Sequence, residues 1–447
     1  MRIVVVGAGK LGYSVAQLLA NDQYDVVVIE QDEKRREVVK NSLDVLTIGA
    51  NGASPSTMSE TFVKDADMLL ASTDSDEANM VICMLAKQNG VKHTVARIRN
   101  TDYTQLSDAF LKENMKIDMI LNPEQITAKE INRILLTPAA LNVEDYAEGK
   151  VRMFEVKLKD SSKMIGVPLK DMDIPKQILV AMIFRNNVMI IPHGDDVMRA
   201  NDNVFFVGRT DVIHEFEGRF VTTHSKAERV IIIGAGRTGR FLAPLLEQQG
   251  LFVKIIDKNK ERCQMIAQKL KSGIALHGDG TDIDLLVEEG ISEADVVICV
   301  TEDDKLNLLL ALLAKHLGAE KTIVRVARNE YVELMEKVGV DIVLSSRLLS
   351  SGEVLKFIRR GGVVSVSLLE GAKAEAIELI LPKNSKIVGK TLREAKLHKE
   401  CLICAVVHND EVFVPNGDTI LYPEDRIIIF VKAGYVKNVM PAFEGKE

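Results

Sequence analysis

The chain has 447 residues, a formal net charge of −7 and no Trp, and 47% of its residues are hydrophobic. This length predicts roughly three or four domains rather than one. The acidic balance argues against a nucleic-acid partner, which would need a basic face. Five Cys argue against a disulfide framework and indicate a reducing, cytoplasmic environment. No uninterrupted apolar run approaches about 18 residues, so we expect no membrane-spanning segment.

The first apolar runs predict a parallel sheet. They lie at 3–6, 26–29, 45–48, 68–71, 94–98 and 118–121. Each run is continuous rather than alternating, as in strands buried on both faces. The run at 3–6 ends at a glycine, which favours a strand over a signal peptide. Amphipathic stretches at 14–22 and 77–90 lie between the runs, the second with Gly90 as its expected C-cap. Alternating β and α elements predict a Rossmann-like, doubly wound α/β domain.

A helix and a smaller domain follow this first unit. Residues 122–135 predict a helix with Asn122 at the N-cap, Pro123 at the first helical position and Gln125 two positions later. Further β-rich runs, broken by turns, then predict a small α+β domain. They lie at 153–158, 179–184, 188–192 and 203–208. The polar stretch 222–229 is the expected linker to the rest of the chain.

The chain then repeats itself. Gly7 and Gly234 are 227 residues apart, and so are Glu30 and Asp257. The order is therefore a parallel-sheet unit, a small α+β unit, and both again. We predict Rossmann-like domains at 1–122 and 226–344, crossover helices at 123–142 and 345–362, and small α+β domains at 143–225 and 363–447.

The stretch GAGKLG at 7–12 has the spacing of a dinucleotide-binding loop. Gly7 allows the tight strand-to-helix turn, Gly9 lets the backbone approach a pyrophosphate, and Gly12 lets the helix pack close to the strand. The helix N-terminus then offers free N–H groups to the phosphates. Glu30 follows Gly12 by 18 residues, at the end of the second strand, where it is placed to bind ribose hydroxyls.

The second copy repeats every part of this motif, with GAGRTG at 234–239 and Asp257. An acidic residue at this position repels a 2′-phosphate, so NAD(H) or an adenine nucleotide is favoured over NADP(H). Two alternatives stay open: the glycine turns serve packing alone, or one of the two sites is silent.

Further polar residues are expected at the same edge of each sheet. Lys10 and Arg237 share a loop position and either neutralise an extra phosphate or remain solvated. Asn51 and Asp279 follow the third strand and are candidates for adenosine contacts. Arg97 and Arg325 lie inside the fifth strand, where each needs an anionic partner, either a phosphate or a carboxylate. Side chains after the fourth strand border the crevice: Thr73, Asp74, Thr301 and Glu302.

Groups for hydride-transfer catalysis are not evident. The spacing of Tyr146 and Lys150 matches a Tyr-Lys pair, but a glycine intervenes and the second half has no counterpart. The pair Cys401 and Cys404 falls in a β-like run, where such residues point to opposite faces, so we expect buried cysteines rather than a metal or redox site. A soluble NAD-dependent oxidoreductase with two cofactor sites remains the alternative to a non-enzymatic nucleotide sensor.

The tandem order, the paired glycine loops and the P-x-G-D turns at 192–195 and 415–418 resemble the RCK (KTN) regulatory proteins over essentially the whole chain. The resemblance implies Rossmann-like domains that bind NAD(H) and, in relatives, ATP or ADP. The first half of the chain departs from the family pattern at Ala50, where an acid is often found. The implied ligand residues are Gly7, Ala8, Gly9, Lys10, Leu11, Glu30, Thr73, Asp74 and Arg97 in the first half, and Gly234, Ala235, Gly236, Arg237, Thr238, Asp257, Asp279, Thr301, Glu302 and Arg325 in the second.

The same resemblance implies an assembly and a partner. RCK domains form rings of eight, so a chain with two copies is expected to form a homotetramer. The ring is expected to dock on the cytoplasmic face of a TrkH-type potassium channel subunit and to gate it, without enzymatic activity. The helices that begin near Asn122 and Ser345 are the expected hinges and subunit contacts.

Overall fold

The computed structural model describes residues 1–104, 106, 108–136, 142–158, 160–186, 188–219, 227–358, 363–369 and 373–445. The chain divides into two compact units. One comprises Met1–Lys129 with Arg229–Ile358, and the other Glu130–Glu228 with Arg359–Glu447. Within the described ranges, no helix combines the length and the apolar character needed to span a bilayer.

The first unit begins with a six-stranded parallel sheet in the order β3-β2-β1-β4-β5-β6. Its strands are β1 Arg2–Val6, β2 Asp25–Ile29, β3 Leu46–Ile48, β4 Met68–Ala71, β5 His93–Arg97 and β6 Met119–Leu121. Its helices are α1 Lys10–Asn21, α2 Glu33–Ser42, α3 Pro55–Met58, α4 Thr61–Lys64, α5 Asp76–Gln88, α6 Thr101–Thr104 and α7 Asp108–Glu113. Continuous Val and Ile runs form the central strands because both faces of the sheet are covered by helices.

The crossover helix α8, Pro123–Leu136, leads into an antiparallel sheet of the second unit. Its strands are β7 Asn142–Tyr146, β8 Val151–Lys157, β9 Ile178–Arg185, β10 Val188–Ile190 and β11 Asn203–Arg209, and helix α9, Thr210–Glu217, follows them. Short 3-10 segments span Ala147–Gly149 and Leu169–Asp171. The strand order is β10-β9-β11-β8-β7.

The second half repeats the parallel sheet in the first unit, in the order β14-β13-β12-β15-β16-β17. The strands are β12 Arg229–Ile233, β13 Phe252–Asp257, β14 Ile274–His277, β15 Val296–Cys299, β16 Lys321–Val326 and β17 Ile342–Ser345. The helices are α10 Arg237–Gln248, α11 Lys260–Ala267, α12 Ile283–Glu288, α13 Asp304–His316, α14 Glu330–Val338 and α15 Ser346–Ile358, with a 3-10 segment at Ile291–Glu293. Helix α15 packs on α1 of the first half, and Phe357 lies edge-on to His93 with 5.8 Å between the ring centroids.

The second unit ends with another antiparallel sheet, in the order β18-β19-β22-β20-β21. Its elements are β18 Val363–Leu369, β19 Ala374–Ile380, α16 Leu392–Ala395, β20 Cys401–His408, β21 Glu411–Phe413, β22 Arg426–Lys432 and α17 Val436–Val439, with a 3-10 segment at Met440–Ala442. The two antiparallel sheets have equivalent strand orders and share one hydrophobic core, in which Phe205 and Phe430 are fully buried.

The predicted fold class is confirmed: two Rossmann-like parallel sheets, each followed in sequence by an antiparallel α+β unit. All six strands predicted for the first parallel sheet, β1 to β6, form, and their ends lie within one residue of the predicted runs. The end of α5 differs slightly, since Asn89 is the C-cap and Gly90, with φ 99°, follows it. Strand β7 was not predicted because its sequence, NVEDY, has too few apolar residues to stand out.

The predicted domain boundaries remain predictions. Part of each predicted crossover helix, 137–141 and 359–362, and most of the predicted linker, 222–226, lie outside the described residues. The prediction for the cysteine pair is confirmed, since Cys401 and Cys404 are both buried and belong to different core clusters on opposite faces of β20.

Candidate functional site

Each parallel sheet has a sharp turn between its first strand and first helix. Gly7 has φ 93° and Gly234 has φ 114°, a left-handed conformation that favours glycine. A Cβ atom on Gly7 would lie 3.0 Å from Thr73 N, and one on Gly234 would lie 3.0 Å from Thr301 N. The turn therefore packs its backbone directly against the loop that follows the fourth strand of the sheet.

The second and third glycines of each loop differ in the space around them. A Cβ on Gly12 would lie 1.9 Å from Gly7 O, and one on Gly239 would lie 2.0 Å from Gly234 O, so only glycine fits there. In contrast, a Cβ on Gly236 would meet no atom of the described residues within 4 Å. The space beside the second glycine is open, as close approach of a phosphate to the backbone requires.

The acidic residue that ends the second strand is tied to the glycine loop. Glu30 is buried, and its Oε2 accepts a hydrogen bond from Ala8 N at 2.6 Å while its Oε1 accepts one from Asp32 N at 2.9 Å. Asp257 repeats this through Ala235 N at 2.7 Å. Each acid thus orients the loop backbone, a role that sequence reasoning missed. Each carboxylate oxygen keeps a second lone pair for a ribose hydroxyl.

A buried asparagine organises the loop after the fourth strand, and it was also missed. Asn79 is fully buried, and its Oδ1 accepts hydrogen bonds from Thr73 N at 2.9 Å and Thr73 Oγ1 at 2.7 Å. Its Nδ2 donates to Arg97 O at 2.9 Å. Asn307 makes the same set of contacts in the second half. The sequence repeat could have identified these residues, because the two asparagines are 228 residues apart within repeated segments.

Arg97 and Arg325 each reach back to this loop. Arg97 Nη1 donates to Thr73 O at 3.4 Å and lies 3.7 Å from Asp74 Oδ1, and Arg325 Nη1 donates to Thr301 O at 3.3 Å. The Nε atom of each arginine is buried, and among the described residues neither has a hydrogen-bond acceptor. Burial lowers the pKa of Arg97. A buried guanidinium with an unused donor is costly, and an anionic ligand oxygen would satisfy it.

The register of the third strand shows which residue of the first half corresponds to Asp279, the candidate for adenosine contacts in the second half. Residue 46 pairs with Val27, and residue 274 pairs with Lys254, the counterpart of Val27. The counterpart of Asp279 is therefore Asn51 rather than Ala50, and the first half has an amide where the second half has an acid. Asn51 Oδ1 accepts from Ala53 N at 3.0 Å, and Asp279 Oδ1 accepts from Thr281 N at 2.9 Å. These contacts with Thr281 lower the pKa of Asp279.

The remaining predicted residues divide by exposure. Lys10, Arg237, Asp74 and Glu302 are exposed and available to solvent or ligand. Four others are buried and can offer a ligand only their backbone or, for threonine, a hydroxyl at the site: Ala8, Leu11, Ala235 and Thr238.

The residues considered for catalysis do not form a reactive pair. Tyr146 is buried in the core of the second unit, and burial raises its pKa. Lys150 Nζ lies 2.6 Å from Asp410 Oδ1. Among the described residues there is no group of three or more His, Cys, Asp or Glu side chains placed to hold a metal ion.

The arrangement fits a dinucleotide or an adenine nucleotide. The open space beside Gly236 accommodates phosphates at the start of α10, and Asp257 is placed for the ribose. The unused Nε donor of Arg325 suits a further anionic oxygen. The first half offers the same set through Gly9 and Glu30, so both crevices have the chemistry of a nucleotide site.

Comparison with known proteins agrees with this organisation. The TrkA-N domain family matches residues 3–123 and 230–346, and the TrkA-C domain family matches residues 153–221 and 376–443. The chain is 39% identical over 452 residues to a Trk system potassium uptake protein TrkA homolog 1 of Methanosarcina mazei, covering 99% of this chain and 100% of that one. It is 34% identical to Trk system potassium uptake protein TrkA of Halomonas elongata, covering 96% of each.

Solved structures show the same fold. The crystal structure of the GsuK RCK domain is 18% identical, with a TM-score of 0.62, and the match covers 98% of this chain and 93% of that one. The GsuK channel bound to NAD is 17% identical, with a TM-score of 0.62, and covers 99% of this chain and 78% of that one. With two TrkA-N and two TrkA-C matches in tandem and relatives aligned along nearly its full length, the chain belongs to the TrkA family of Trk system potassium uptake proteins.

Proposed function

We propose that this chain is a cytosolic, nucleotide-sensing regulatory subunit of a Trk-type potassium uptake channel. The observation that carries the proposal is the near full-length match to relatives named as Trk system potassium uptake proteins. The two glycine-loop crevices support it, because they have the chemistry to bind NAD(H) and also ATP or ADP. Structural relatives described as bound to NAD and to ADP are consistent with both ligands.

In this proposal four chains form one ring, because each chain contributes two Rossmann-like domains and rings of this family contain eight. The ring is peripheral on the cytoplasmic face of the membrane and binds a TrkH-type channel subunit. It performs no chemistry on its nucleotides.

The residues act by differential binding. The glycine loops hold the phosphates, Glu30 and Asp257 hold the ribose, and Arg97 and Arg325 take a further anionic oxygen. A nucleotide that binds one ring geometry more tightly shifts the ring toward that geometry, by as much as its affinities differ. Helix α15, which packs on α1, links the nucleotide site of one half to the other half of the same chain.

Nucleotide titration of the purified protein tests the binding sites. Wild type is expected to bind NADH, ATP and ADP at two sites per chain by calorimetry. Gly9→Leu and Gly236→Leu are each expected to weaken one site by more than about tenfold, because a side chain there fills the space that the phosphates need. The fold is expected to stay intact in both variants, since a Cβ at either position meets no described backbone atom within 4 Å. Binding that neither substitution changes would contradict the assignment of the sites.

Two further measurements test the regulatory role. Steady oxidation of NADH with a panel of keto acids, or reduction of NAD with hydroxy acids, would favour the oxidoreductase alternative and overturn this proposal. Potassium flux through a TrkH-type subunit in vesicles is expected to depend on this protein and to change when nucleotide is added. Flux that is identical with and without the protein would remove the channel from the proposal while leaving nucleotide binding intact.

A further inference from the structure

The loop that follows the third strand of each parallel sheet carries a different side chain at one equivalent position. The first half has Asn51 and the second half has Asp279. The next residue of each loop packs on the last residue of the first strand, since a Cβ on Gly52 or Gly280 would lie 2.1 or 2.5 Å from that side chain. Because the glycine turn begins at the following residue, each loop lies beside its glycine turn.

The same loop is also bound to the strand that ends at the ribose acid. Gly278 N donates a hydrogen bond to Asp257 O at 3.1 Å, so Asp279 lies one residue from this contact. Asn51 and Asp279 are both exposed, so a ligand in the crevice can reach their side chains. A nucleotide with its phosphates at the glycine turn and its ribose at the acid would therefore place its base against this loop.

The hydrogen bond that Asn51 makes fixes the orientation of its amide. Asn51 Oδ1 lies 3.0 Å from Ala53 N, and because a backbone N–H can only donate, the amide oxygen must face it. The Nδ2 atom is then directed away from Ala53, and among the described residues it has no hydrogen-bond partner. The first half therefore presents N–H donors to a ligand at this position.

Asp279 is oriented in the same way but presents an acceptor. Its Oδ1 accepts hydrogen bonds from Thr281 N at 2.9 Å and from Thr281 Oγ1 at 2.8 Å, whereas no group in the described part of the chain donates to its Oδ2. The bonds with Thr281 and, to a lesser degree, the charge of Lys258 lower the pKa of Asp279. The carboxylate therefore has no proton to donate at neutral pH, and the second half presents only acceptors.

Purine bases differ in what they offer to such a group. Adenine carries an amino group at C6, which donates hydrogen bonds, whereas hypoxanthine and guanine carry a carbonyl oxygen there, which accepts them. A carboxylate oxygen binds the amino group and repels the carbonyl oxygen. An amide N–H binds the carbonyl oxygen and gives the amino group no acceptor.

We propose that Asp279 selects a 6-amino purine in the second nucleotide site and that Asn51 admits a 6-oxo purine to the first. The inference rests on the proposed function, because it requires both crevices to bind nucleotides. The second site then responds to adenine nucleotides alone, whereas the first site also takes nucleotides of hypoxanthine or guanine. The two residues set the base specificity of their sites, and the glycine loops and strand-end acids hold the rest of the ligand.

Each site can be tested alone in the full-length protein with ATP and ITP, which differ only in the base. With Gly9→Leu closing the first site, calorimetry is expected to show ATP binding the second site about tenfold more tightly than ITP. With Gly236→Leu closing the second site, ATP and ITP are expected to bind the first site within about twofold of each other. NADH and its hypoxanthine analogue give the same comparison for a dinucleotide.

Exchange of the two side chains is expected to exchange the preferences. Asp279→Asn should lower the ratio of ATP to ITP affinity in the second site to that of the first, and Asn51→Asp should raise the ratio in the first site toward tenfold. Both variants are expected to fold, because each half already accommodates the other residue at the equivalent position. Asp284→Asn and Asn41→Asp, at exposed positions of α12 and α2, are the matched controls and should leave both ratios unchanged.

The outcomes separate the two proposals. If wild type binds no nucleotide, the proposed function fails. If both sites bind nucleotides with the same ratio of ATP to ITP affinity, or if Asp279→Asn changes that ratio no more than Asp284→Asn does, the assignment of base specificity is overturned. Melting temperatures of the exchanged variants are expected to match wild type, so a changed ratio reports the contact with the base rather than a change in the fold.

Discussion

The two parallel-sheet halves share their interior contacts and differ at the rim of the crevice. In both, an acid at the end of the second strand accepts a hydrogen bond from the glycine loop, at 2.6 Å for Glu30 and 2.7 Å for Asp257. At the rim, Arg35 Nη1 lies 3.7 Å from Asp74 Oδ2, across the mouth of the first crevice. The Nη1 atom of its counterpart, Arg262, instead lies 3.8 Å from Asp257 Oδ2, at the end of the strand that precedes its own helix.

This difference leaves the two crevices unequally covered. Arg35 Nη1 would lie 3.9 Å from a Cβ on Gly9, whereas nothing lies within 4 Å of a Cβ on Gly236. Interior contacts recur because both halves must form the same strand-to-helix turn, which tolerates few alternatives. Rim side chains are more exposed to solvent than the interior ones, so they can differ with less cost to the fold. The same fold therefore has two crevices that differ in how open they are beside the second glycine.

The antiparallel sheets of the second unit follow the same rule. Asp202 and Asp425 are both buried and occupy equivalent positions. Asp202 forms hydrogen bonds with Arg185 at 2.8 and 2.9 Å, whereas Asp425 Oδ1 lies 2.6 Å from His408 Nδ1. The buried acid is kept and its more exposed partner changes, from a permanent cation to a histidine.

The largest effect is expected where the two halves are most alike. Gly12→Ala and Gly239→Ala should each destabilise the protein by about 3 kcal/mol, because the added methyl group would overlap a backbone carbonyl oxygen and force the helix away from its strand. Urea unfolding measures the loss. Gly236→Ala is the control and should change stability little, since its Cβ enters open space. A loss in one half alone would show that the glycine turns are not structurally equivalent.

A smaller but still symmetric effect is expected at the buried asparagines. Asn79→Ala and Asn307→Ala should each cost about 2 kcal/mol, because each leaves buried backbone groups of the neighbouring loop and strand without partners. Denaturation of both variants measures this. Asn89→Ala, which removes one half-buried hydrogen bond to Leu85 O, is the control with a smaller loss. If either variant is as stable as wild type, the two asparagines do not have the same structural role in the two halves.

The smallest effect should distinguish the halves by pH. Glu247 accepts hydrogen bonds from the backbone N–H groups of residues 271–273, which lower its pKa from the ordinary 4.5 to about 2. The first half has Ala20 at this position. Since the folded pKa is the lower one, the stabilisation is complete above pH 4.5 and is lost as the pH falls toward 2.

Melting temperatures between pH 7 and pH 3 test this expectation. Glu247→Gln should melt lower than wild type at pH 7, and the difference should shrink as the pH falls below 4.5. Glu261→Gln, at an exposed position of α11, is the matched control and should track wild type throughout. A difference between Glu247→Gln and wild type that does not vary with pH would mean that the carboxylate charge plays no part in holding the loop.

Local sequence patterns alone determined most of the fold and the position of the site. Continuous apolar runs identified the strands, cap residues such as Asn122 located the helices, and the spacing from Gly12 to Glu30 located both crevices. These features were predictable because each depends on residues near one another in the chain.

Only the tertiary structure decided how the site is held and how its two copies differ. The strand registers of the two halves showed that Asn51 and Asp279 are equivalent residues. Folding also placed the Asn79 side chain within hydrogen-bond distance of residues 73 and 97. The ion-pair partner of Arg35, Asp74, likewise comes from another element. Such contacts join residues distant in sequence, and their geometry follows from how sheets and helices pack, which no local pattern records.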